Sequence, residues 1–437
     1  MRWFQNATTP ADRLPAQVFA LMRYTDAMSQ GSQNKRCDLA IIGGGASGLT
    51  AAIAAGRRGR RVVVCEKMPR PGLKLLASGG GRCNVTNTLP AEAFMERFGP
   101  EGRFMGPALA ELGGEKLRRF LRELGIETVV DDGLRVWPAT RRSETVLSGL
   151  LAEAKRLGVR LMLGCEVRSA LFAEGCFQLA CKAGTIAAEK LILATGGLTY
   201  PRLGATGDGY RFAAAFGHSV KPCCPAGVPL LTREDWPGRC KAFTIGKALV
   251  RIAVGGQKKR VFNGDVIFTE HGVAGPVILD LSREIPPLLA RHGTVPLQLN
   301  LCRGRDREDW QAILKGWRHG AVRERLAEHF PPPLAEVLCE LAGTAGTAAR
   351  ALGGEPAERL IGLLVETPLT VVGTAGYDQA FITRGGVSLK EVDPDTLESR
   401  LCPGLYLCGE LLDLDGPCGG FNLQWAFASG YLAGLGR

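Results

Sequence analysis

The stretch from Cys37 to Glu66 constrains the fold of this chain more than any other. Two short apolar, β-rich runs, Leu39–Ile42 and Arg61–Cys65, predict buried strands. Between them, the Ala-rich segment Leu49–Arg58 contains no proline and predicts a helix. The order strand, glycine turn, helix, strand and acid is typical of a dinucleotide-binding unit, so we expect an α/β fold around a parallel sheet.

The glycines of this turn have separate physical tasks. Gly43 permits the tight turn, Gly45 lets a pyrophosphate approach the backbone, and Gly48 lets the helix pack closely on the strand. The N–H groups and the positive end of the helix dipole then face the phosphates. Glu66 is placed to bind both hydroxyls of a ribose, which favours a ligand without a 2′-phosphate, such as FAD or NAD.

Length and charge leave two classes of function open. A chain of 437 residues is too long for one core, so two or three domains are expected. The net charge of +11 fits either a basic solvated surface or a nucleic-acid partner. Because the sequence has no dense Lys/Arg run with interleaved aromatic residues, we favour the basic surface and expect no nucleic-acid partner.

The cysteines indicate a reducing compartment. None of the 14 forms a C-x-x-C, and none has metal-like spacing with the five histidines, so no metal is expected. Cys65, Cys165 and Cys181 lie in apolar runs, where reduced cysteine acts as a small hydrophobic residue. Residues 1–36 resemble neither a signal peptide nor a membrane span. We expect a cytoplasmic protein with an N-terminal extension that contains a short helix over Ala16–Tyr24.

Glycine-rich segments elsewhere predict further contacts with a ligand. The loop Ser78–Asn84 offers bare backbone N–H groups and the charge of Arg82. The strand in Lys190–Gly197 runs into two glycines, and Thr195 supplies a hydroxyl there. A third strand ends at Gly409-Glu410, where the acid can bind a polyol hydroxyl. The glycines of 419–424 open a last helix whose N-terminus can stabilise a reduced flavin.

The middle of the chain has a different pattern. Short β-like runs, among them Val277–Leu281, are separated by turn signals such as Asn263-Gly264, which predicts a small sheet or barrel. Residues 305–366 change to helical periodicity. The sequence contains no second complete G-x-G-x-x-G between a strand and a helix, so NADH or NADPH is expected to bind only transiently, as an electron donor.

These motifs together resemble a bacterial family of NAD(P)/FAD-dependent oxidoreductases, which includes proteins named aminoacetone oxidases and a reductase of dehydro-bile acids. SGGGRCN at 78–84 and LDLDGPCGGFNLQ at 412–424 carry the most specific part of the likeness. The resemblance implies a Rossmann-type FAD-binding domain of the two-dinucleotide-binding class, with an inserted β-barrel-like domain and a helical subdomain. The implied boundaries are 1–36 for the extension, 37–219 and 376–437 for the FAD domain, 220–304 and 367–375 for the barrel-like insert, and 305–366 for the helical subdomain.

The resemblance also implies contacts with FAD and a class of reaction. The implied FAD-contacting residues are Gly43, Gly45, Ala46, Ser47, Gly48, Glu66, Lys67, Arg82, Cys83, Asn84, Gly196, Gly409, Glu410, Gly420, Phe421 and Asn422. The implied activity passes electrons through the flavin between NAD(P)H or a small organic substrate and a second small molecule or O₂. The alternative is a flavin-dependent protein that modifies or binds RNA.

The candidate acid–base pair lies in the insert. Relatives often have Thr-His-x-Gly where this chain has Thr269-Glu270-His271-Gly272, so the histidine is displaced by one residue. Glu270 and His271 form an acid–imidazole pair in a glycine-rich turn, and imidazole suits proton transfer near neutral pH. They are the candidate catalytic residues, and the alternative is a surface turn in which Gly272 and Gly275-Pro276 only reverse the chain. We predict that Cys83 and Cys418 do not act as a redox pair.

Overall fold

The structure is a computed structural model that describes residues 35–131, 133–182, 184–255, 260–302 and 304–437. The extension and its predicted helix over Ala16–Tyr24 lie outside these residues. The described chain divides into two compact units, one of residues 35–223 with 385–437, the other of residues 224–384. The finer division into insert and helical subdomain stays a prediction. Within the described ranges, no helix is long and apolar enough to cross a membrane.

The strands are numbered in chain order. They are β1 (Lys35–Ile42), β2 (Val62–Cys65), β3 (Thr86–Asn87), β4 (Thr128–Asp131), β5 (Arg135–Pro138), β6 (Arg160–Met162), β7 (Val167–Ala173), β8 (Cys176–Cys181), β9 (Gly184–Leu193), β10 (Val220–Ala226), β11 (Leu230–Thr232), β12 (Thr244–Ile252), β13 (Val261–Thr269), β14 (Gly272–Ala274), β15 (Val295–Asn300), β16 (Thr367–Thr374), β17 (Ile382–Val387) and β18 (Leu405–Leu407).

The helices are numbered in the same way. They are α1 (Ala46–Gly56), α2 (Leu73–Ala77), α3 (Ala91–Glu96), α4 (Gly106–Leu112), α5 (Gly114–Glu123), α6 (Ser143–Arg156), α7 (Asp208–Ala215), α8 (Trp236–Arg239), α9 (Pro276–Leu281), α10 (Ile285–His292), α11 (Arg307–Lys315), α12 (Val322–Ala327), α13 (Pro332–Ala342), α14 (Gly354–Glu366) and α15 (Phe421–Leu435).

The first unit is built on a mostly parallel sheet. Its strands run β6-β2-β1-β9, and β18 pairs in parallel with the C-terminal end of β9. The hairpin of β7 and β8 adds antiparallel strands along the other end of β9. β2 is buried along its whole length, as expected for a strand covered on both faces. This topology confirms the predicted Rossmann-type domain, and it brings the ends of β1, β2, β9 and β18 to one edge.

Glycines let two helices approach closely beside this sheet. A Cβ on Gly430 of α15 would lie 2.2 Å from the Ser47 carbonyl oxygen of α1, and one on Gly434 would lie 2.3 Å from that of Ala51. Only residues without a side chain fit these contacts. The last helix of the chain therefore packs directly on the helix of the glycine fingerprint, which the sequence pattern did not predict.

The second unit contains a closed barrel. Its six strands follow the order β11-β14-β13-β12-β15-β16, and each neighbouring pair whose register is defined is antiparallel. Helices α11 to α14 supply buried side chains, including Trp310 and Leu338, to the same apolar core as the barrel. A capping box of Asp306 and Asp309 begins α11. The predicted barrel is confirmed, and α11 to α14 lie within 305–366, but these bounds of a helical subdomain stay a prediction.

Two predictions inside this unit are wrong. Val277–Leu281, predicted as a strand, belongs to α9, and Asn263-Gly264, predicted as a turn, lies within β13. Pro276 at the first turn of α9 favours a helix start, and the buried residues Val277, Ile278 and Leu281 then share one helical face. A Cβ on Gly264 would lie 3.2 Å from the Cβ of Val277, so this glycine lets α9 pack against β13 rather than reversing the chain.

The first unit contains a buried histidine, His218. The Nε2 atom of His218 lies 2.8 Å from the Ser399 hydroxyl, and its Nδ1 atom lies 3.3 Å from the Glu391 carboxylate. The Ser399 hydroxyl already accepts hydrogen bonds from the N–H groups of Leu401 and Cys402, so its proton points to Nε2 and the ring is neutral. Burial lowers the pKa of His218 below 6.5 and outweighs the opposing effect of Glu391.

We predict that the first unit loses stability as pH falls below about 6.5, the pKa of an unfolded histidine. The unfolded chain binds this proton more readily than the folded chain, so the contribution of His218 is complete above that pH and is lost below it. Denaturant unfolding at about pH 7.5 and about pH 5.5 measures the loss. His218→Gln should reduce the difference between the two conditions, and an equal difference in both proteins would contradict the prediction.

Candidate cofactor site

The glycine turn after β1 is shaped as the sequence predicts. Gly43 has a φ of +108°, and a Cβ there would lie 2.4 Å from the Ala194 carbonyl oxygen. A Cβ on Gly48 would lie 1.9 Å from the Gly43 carbonyl oxygen. By contrast, among the described residues beyond its own chain neighbours, no atom lies within 4 Å of the place where a Cβ on Gly45 would stand. Gly43 and Gly48 are therefore packed against other backbone atoms, whereas the space beside Gly45, where α1 begins, is open.

Glu66 is held in a fixed orientation beside this turn. One carboxylate oxygen accepts a hydrogen bond of 2.8 Å from the N–H of Gly44, and the other accepts one of 2.8 Å from the N–H of Met68. Each carboxylate oxygen can accept a second hydrogen bond. The carboxylate is therefore pre-oriented and keeps acceptor capacity for the hydroxyls of a ribose.

Glu66 is predicted to strengthen FAD binding. We expect Glu66→Ala to weaken FAD binding by about 1.5–3 kcal/mol, the contribution of hydrogen bonds to a charged group. Fluorescence titration of FAD into stripped protein measures the change. Glu189→Ala, which removes an exposed acid paired with Arg36, is the matched control and should leave the affinity unaltered. Unaltered FAD affinity in the Glu66 variant would remove this carboxylate from the site.

Several predicted residues line a cleft at the ends of β1, β2 and β9. Its lining residues include Gly43, Glu66, Lys67, Thr195 and Thr206. The Oγ1 atom of Thr195 is buried and has no hydrogen-bond partner among the described residues. This atom packs against Gly209 of α7, where a Cβ would lie 1.9 Å from it. The open space at Gly45 and the fixed carboxylate fit a dinucleotide, so the turn and Glu66 are suited to hold FAD.

Lys67 makes contacts within the protein at the rim of this cleft. Its ammonium donates to the Thr206 hydroxyl and, over 2.6 Å, to the Asp208 carboxylate in the first turn of α7. Burial acts to raise the pKa of Asp208, but the hydrogen bonds from Lys67 and Thr206 outweigh burial and lower it. This part of the cleft therefore keeps an ion pair, and a direct contact of Lys67 with FAD stays a prediction.

A second polar cluster surrounds Glu410, just after β18. Lys74 of α2 forms an ion pair with Glu410 and donates a hydrogen bond of 2.5 Å to the Thr199 hydroxyl. Thr199 in turn donates to Glu410 over 3.3 Å. Lys74 and Thr199 were not predicted as site residues, because their only signal is proximity to Glu410 in the folded chain. Glu410, predicted to bind a polyol, is therefore held by a cation and a hydroxyl.

The loop Ser78–Asn84 is tight and contains three residues in the left-handed backbone conformation. Gly79, Gly80 and Cys83 have φ values of +57°, +65° and +60°. The guanidinium of Arg82 lies 4.7 Å from the ring centre of Trp137. Cys83 is buried, and burial raises the pKa of its thiol to about 12. Asn84, in the amide orientation that satisfies both its ends, accepts from the N–H of Gly420 and donates to the carbonyls of Thr86 and Val136.

The same amide fixes the start of α15. Gly420 has a φ of +84°, and a Cβ there would lie 2.4 Å from the Thr86 carbonyl oxygen. The Phe421 ring packs against Phe94, with 4.8 Å between ring centres, and the Asn422 amide both donates to and accepts from the backbone of Gly416. The side chains of Asn84, Phe421 and Asn422 thus hold the backbone at the start of α15 in place. Any contact of theirs with FAD stays a prediction.

Other predicted residues contribute backbone or lie in the second unit. Gly196 and Gly409 have φ values of +73° and +72°, and Ser47 is buried at the start of α1.

Glu270 and His271 lie in the second unit, in the exposed turn between β13 and β14. The Glu270 carboxylate accepts a hydrogen bond of 2.7 Å from Lys241, and this hydrogen bond lowers its pKa. A catalytic role for the pair stays a prediction.

The chain is similar in sequence to a known protein family and to several named proteins. The family model described as HI0933-like protein Rossmann domain matches residues 37–436. Over 404 residues, the chain is 34% identical to a 3-dehydro-bile acid delta(4,6)-reductase from Clostridium scindens, covering 91% of this chain and 98% of that protein. It is 32% identical over 408 residues to a ribosomal RNA dihydrouridine synthase from Escherichia coli, covering 91% and 97% respectively.

Solved structures support the fold. A flavocytochrome c3 fumarate reductase in its open conformation has a TM-score of 0.51 and 18% identity, covering 97% of this chain and 80% of that one. A 3-ketosteroid-delta4-(5alpha)-dehydrogenase from Rhodococcus jostii RHA1 has a TM-score of 0.50 and 16% identity, covering 93% and 98%. With the cleft described above, the family match and the reductase relative show that the chain is an FAD-dependent oxidoreductase.

Proposed function

This chain belongs to the HI0933-like family, and we propose that it reduces a carbon–carbon double bond conjugated to a carbonyl group in a small organic substrate. The observation that carries the proposal is the pair of relatives at 34% and 32% identity, each matched over nearly its whole length. One name describes a reductase of delta(4,6) double bonds in a 3-oxo compound. The other describes formation of dihydrouridine, in which the double bond beside a uracil carbonyl is saturated. The reaction class is common to both names.

NADH or NADPH is the proposed electron donor. FAD, when bound, accepts a hydride from one molecule and passes it to another. The protein binds and orients FAD with the turn Gly43–Gly48 and the carboxylate of Glu66, and Thr195 lines the same cleft. Lys74 holds Glu410 in place for a hydroxyl of the cofactor chain. Because the sequence has no second complete dinucleotide fingerprint, the nicotinamide donor is proposed to bind and leave in each turnover.

A second candidate function is reduction of uridine in RNA. Two relatives, at 32% and 30% identity, are named ribosomal RNA dihydrouridine synthases. The net charge of +11 would favour binding of a polyanion. The two candidates share a reaction and differ in the class of acceptor, so the acceptor is the quantity to measure.

The test separates the two half-reactions under anaerobic conditions. Purified yellow protein is first mixed with NADH or with NADPH, and bleaching of the flavin absorbance identifies the donor. Bleached protein is then mixed with a 3-oxo-4,6-dienoic bile acid, a simple enone, ribosomal RNA that lacks dihydrouridine, or buffer that contains O₂. Rapid reoxidation by the dienone or enone supports the proposal. Reoxidation by RNA alone supports the second candidate, and reoxidation by O₂ alone contradicts both.

A further inference from the structure

Lys74 is joined to the glycine turn through the backbone of its own helix. The N–H of Gly72, the residue before α2, donates a hydrogen bond of 2.9 Å to the carbonyl oxygen of Gly44 in the turn. Lys74 lies in the first turn of α2, and its ammonium forms the ion pair with Glu410. The ammonium is therefore held within a few residues of the backbone that is suited to hold a diphosphate.

Glu410 is joined to the same turn through Gly409. The N–H of Gly409 donates a hydrogen bond of 3.0 Å to the Ser429 hydroxyl, and its carbonyl accepts one of 3.1 Å from the Trp425 indole, both in α15. A Cβ on Gly409 would lie only 2.8 Å from the hydroxyl oxygen of Ser47, in the first turn of α1. The carboxylate thus follows a backbone that is locked beside the N-terminus of α1.

Thr199 closes this network. It is fully buried, and its hydroxyl accepts a hydrogen bond of 2.5 Å from Lys74 and donates one of 3.3 Å to Glu410. The Lys74 side chain is 30% exposed and the Glu410 side chain only 13%. Because the pair is largely withdrawn from water, the loss of one charge would leave the other poorly compensated.

A carboxylate at this place has a cost for the binding of an anion. The N–H groups and the dipole at the N-terminus of α1 attract a diphosphate. An uncompensated negative charge nearby would repel the same diphosphate, and solvent ions screen such a repulsion less at a partly buried site. The ammonium of Lys74 cancels the charge of Glu410 without removing its oxygen acceptors.

We propose that Lys74 is a charge-compensating residue of the cofactor site, which lets the carboxylate of Glu410 and the diphosphate of FAD occupy neighbouring places. Glu410 then accepts from a hydroxyl of the cofactor chain, while the N-terminus of α1 binds the diphosphate. Lys74 acts through Glu410, so it is a positioning residue. The proposal rests on the assignment of FAD to the turn Gly43–Gly48, and it is independent of the acceptor that the flavin reduces.

The test compares FAD with ADP, which has the adenosine and the diphosphate but no polyol chain. Each ligand is titrated into stripped protein by calorimetry. Lys74→Met should weaken binding of both ligands by about tenfold or more, because the remaining carboxylate repels the diphosphate. Glu410→Gln should weaken FAD and leave ADP bound at least as tightly, since ADP has no polyol to lose and the remaining ammonium does not repel it.

The double variant Lys74→Met/Glu410→Gln decides between compensation and direct contact. Removing the second charge should restore ADP affinity to within about threefold of the unaltered protein, and FAD affinity to that of Glu410→Gln alone. A double variant that binds ADP as weakly as Lys74→Met would overturn the proposal, because Lys74 would then bind the diphosphate itself or maintain the fold. Unaltered affinity of Lys74→Met for both ligands would also overturn it.

Arg57→Met is the matched control for loss of an ion pair. Arg57 lies at the other end of α1 and pairs with Glu123 and with the buried Glu153. This variant should bind ADP and FAD normally, and weakening equal to that of Lys74→Met would overturn the proposal in favour of a general loss of stability. If Glu66→Ala weakens FAD and Lys74→Met does not, the compensation fails alone. If neither weakens FAD, the assignment of FAD to the turn fails with it.

Discussion

Gly48→Ala is expected to destabilise the first unit by about 3 kcal/mol or more, at the upper end of the cost of overpacking. The added Cβ would lie 1.9 Å from the Gly43 carbonyl oxygen, and the obstructing atom is backbone that forms the turn itself. The Gly43 N–H is also bonded to the Cys65 carbonyl, so β1 and β2 would have to separate for the turn to move. Denaturant unfolding of purified protein measures the loss, and the protein should be isolated without bound FAD.

Gly45→Ala is the matched control, since it adds the same methyl group three residues earlier. No atom lies within 4 Å of that Cβ position, and the φ of −83° at Gly45 suits alanine. We expect a stability loss of about 1 kcal/mol or less, since alanine is a poorer helix N-cap than glycine, together with weakened FAD binding. Gly48→Ala protein with normal stability would contradict the close-packing role of Gly48.

His271→Ala is expected to lower substrate-driven turnover of the flavin by about 10²–10⁴, the usual contribution of a general acid or base. The prediction follows from an imidazole in an exposed, glycine-rich turn of the second unit, beside the carboxylate that Lys241 holds. The flavin spectrum and its reduction by dithionite should be unchanged, because the variant alters proton transfer and leaves the cofactor cleft intact. Stopped-flow absorbance measures this rate with the acceptor that the anaerobic test identifies.

An exposed histidine elsewhere in the same unit provides the control. His292 lies in the last turn of α10, and His292→Ala should retain full turnover. A rate that varies less than about twofold between about pH 6 and about pH 9 in the unaltered protein would show that no group titrating near neutral pH transfers the proton. In that case Glu270 and His271 form a surface turn, and the proton comes from another residue or from water.

The sequence was most informative where a structural requirement is local. The order of β1, the turn at Gly43–Gly48, α1, β2 and Glu66 follows from strand-forming runs, a helix-forming segment and glycines at a fixed spacing. Each requirement acts within a few residues, so the local sequence encodes it. The barrel and the helical region at 305–366 were also predictable, because periodicity distinguishes strands from helices over long segments.

The structure of short apolar segments was not predictable, because it depends on contacts with residues that are distant in the sequence. Val277–Leu281 is long enough for a strand or a helix, and the packing of α9 on β13, together with Pro276 at the first turn, decides for the helix. The same contact explains Asn263-Gly264, since a glycine that signals a turn in the sequence serves here to admit a neighbouring helix. Tertiary packing overrode local preference at both places.

The composition of the sites was decided by tertiary structure alone. Lys74 reaches Glu410 although 336 positions separate them in the sequence. Cys65 at the end of β2 and Cys165 after β6 line the same cleft as Glu66, whereas each cysteine taken alone predicted only a small hydrophobic residue. A linear sequence fixes which backbone can turn and which strand can form, because these depend on near neighbours. Which side chains meet depends on the order of strands in the sheet, and that order exists only in the folded chain.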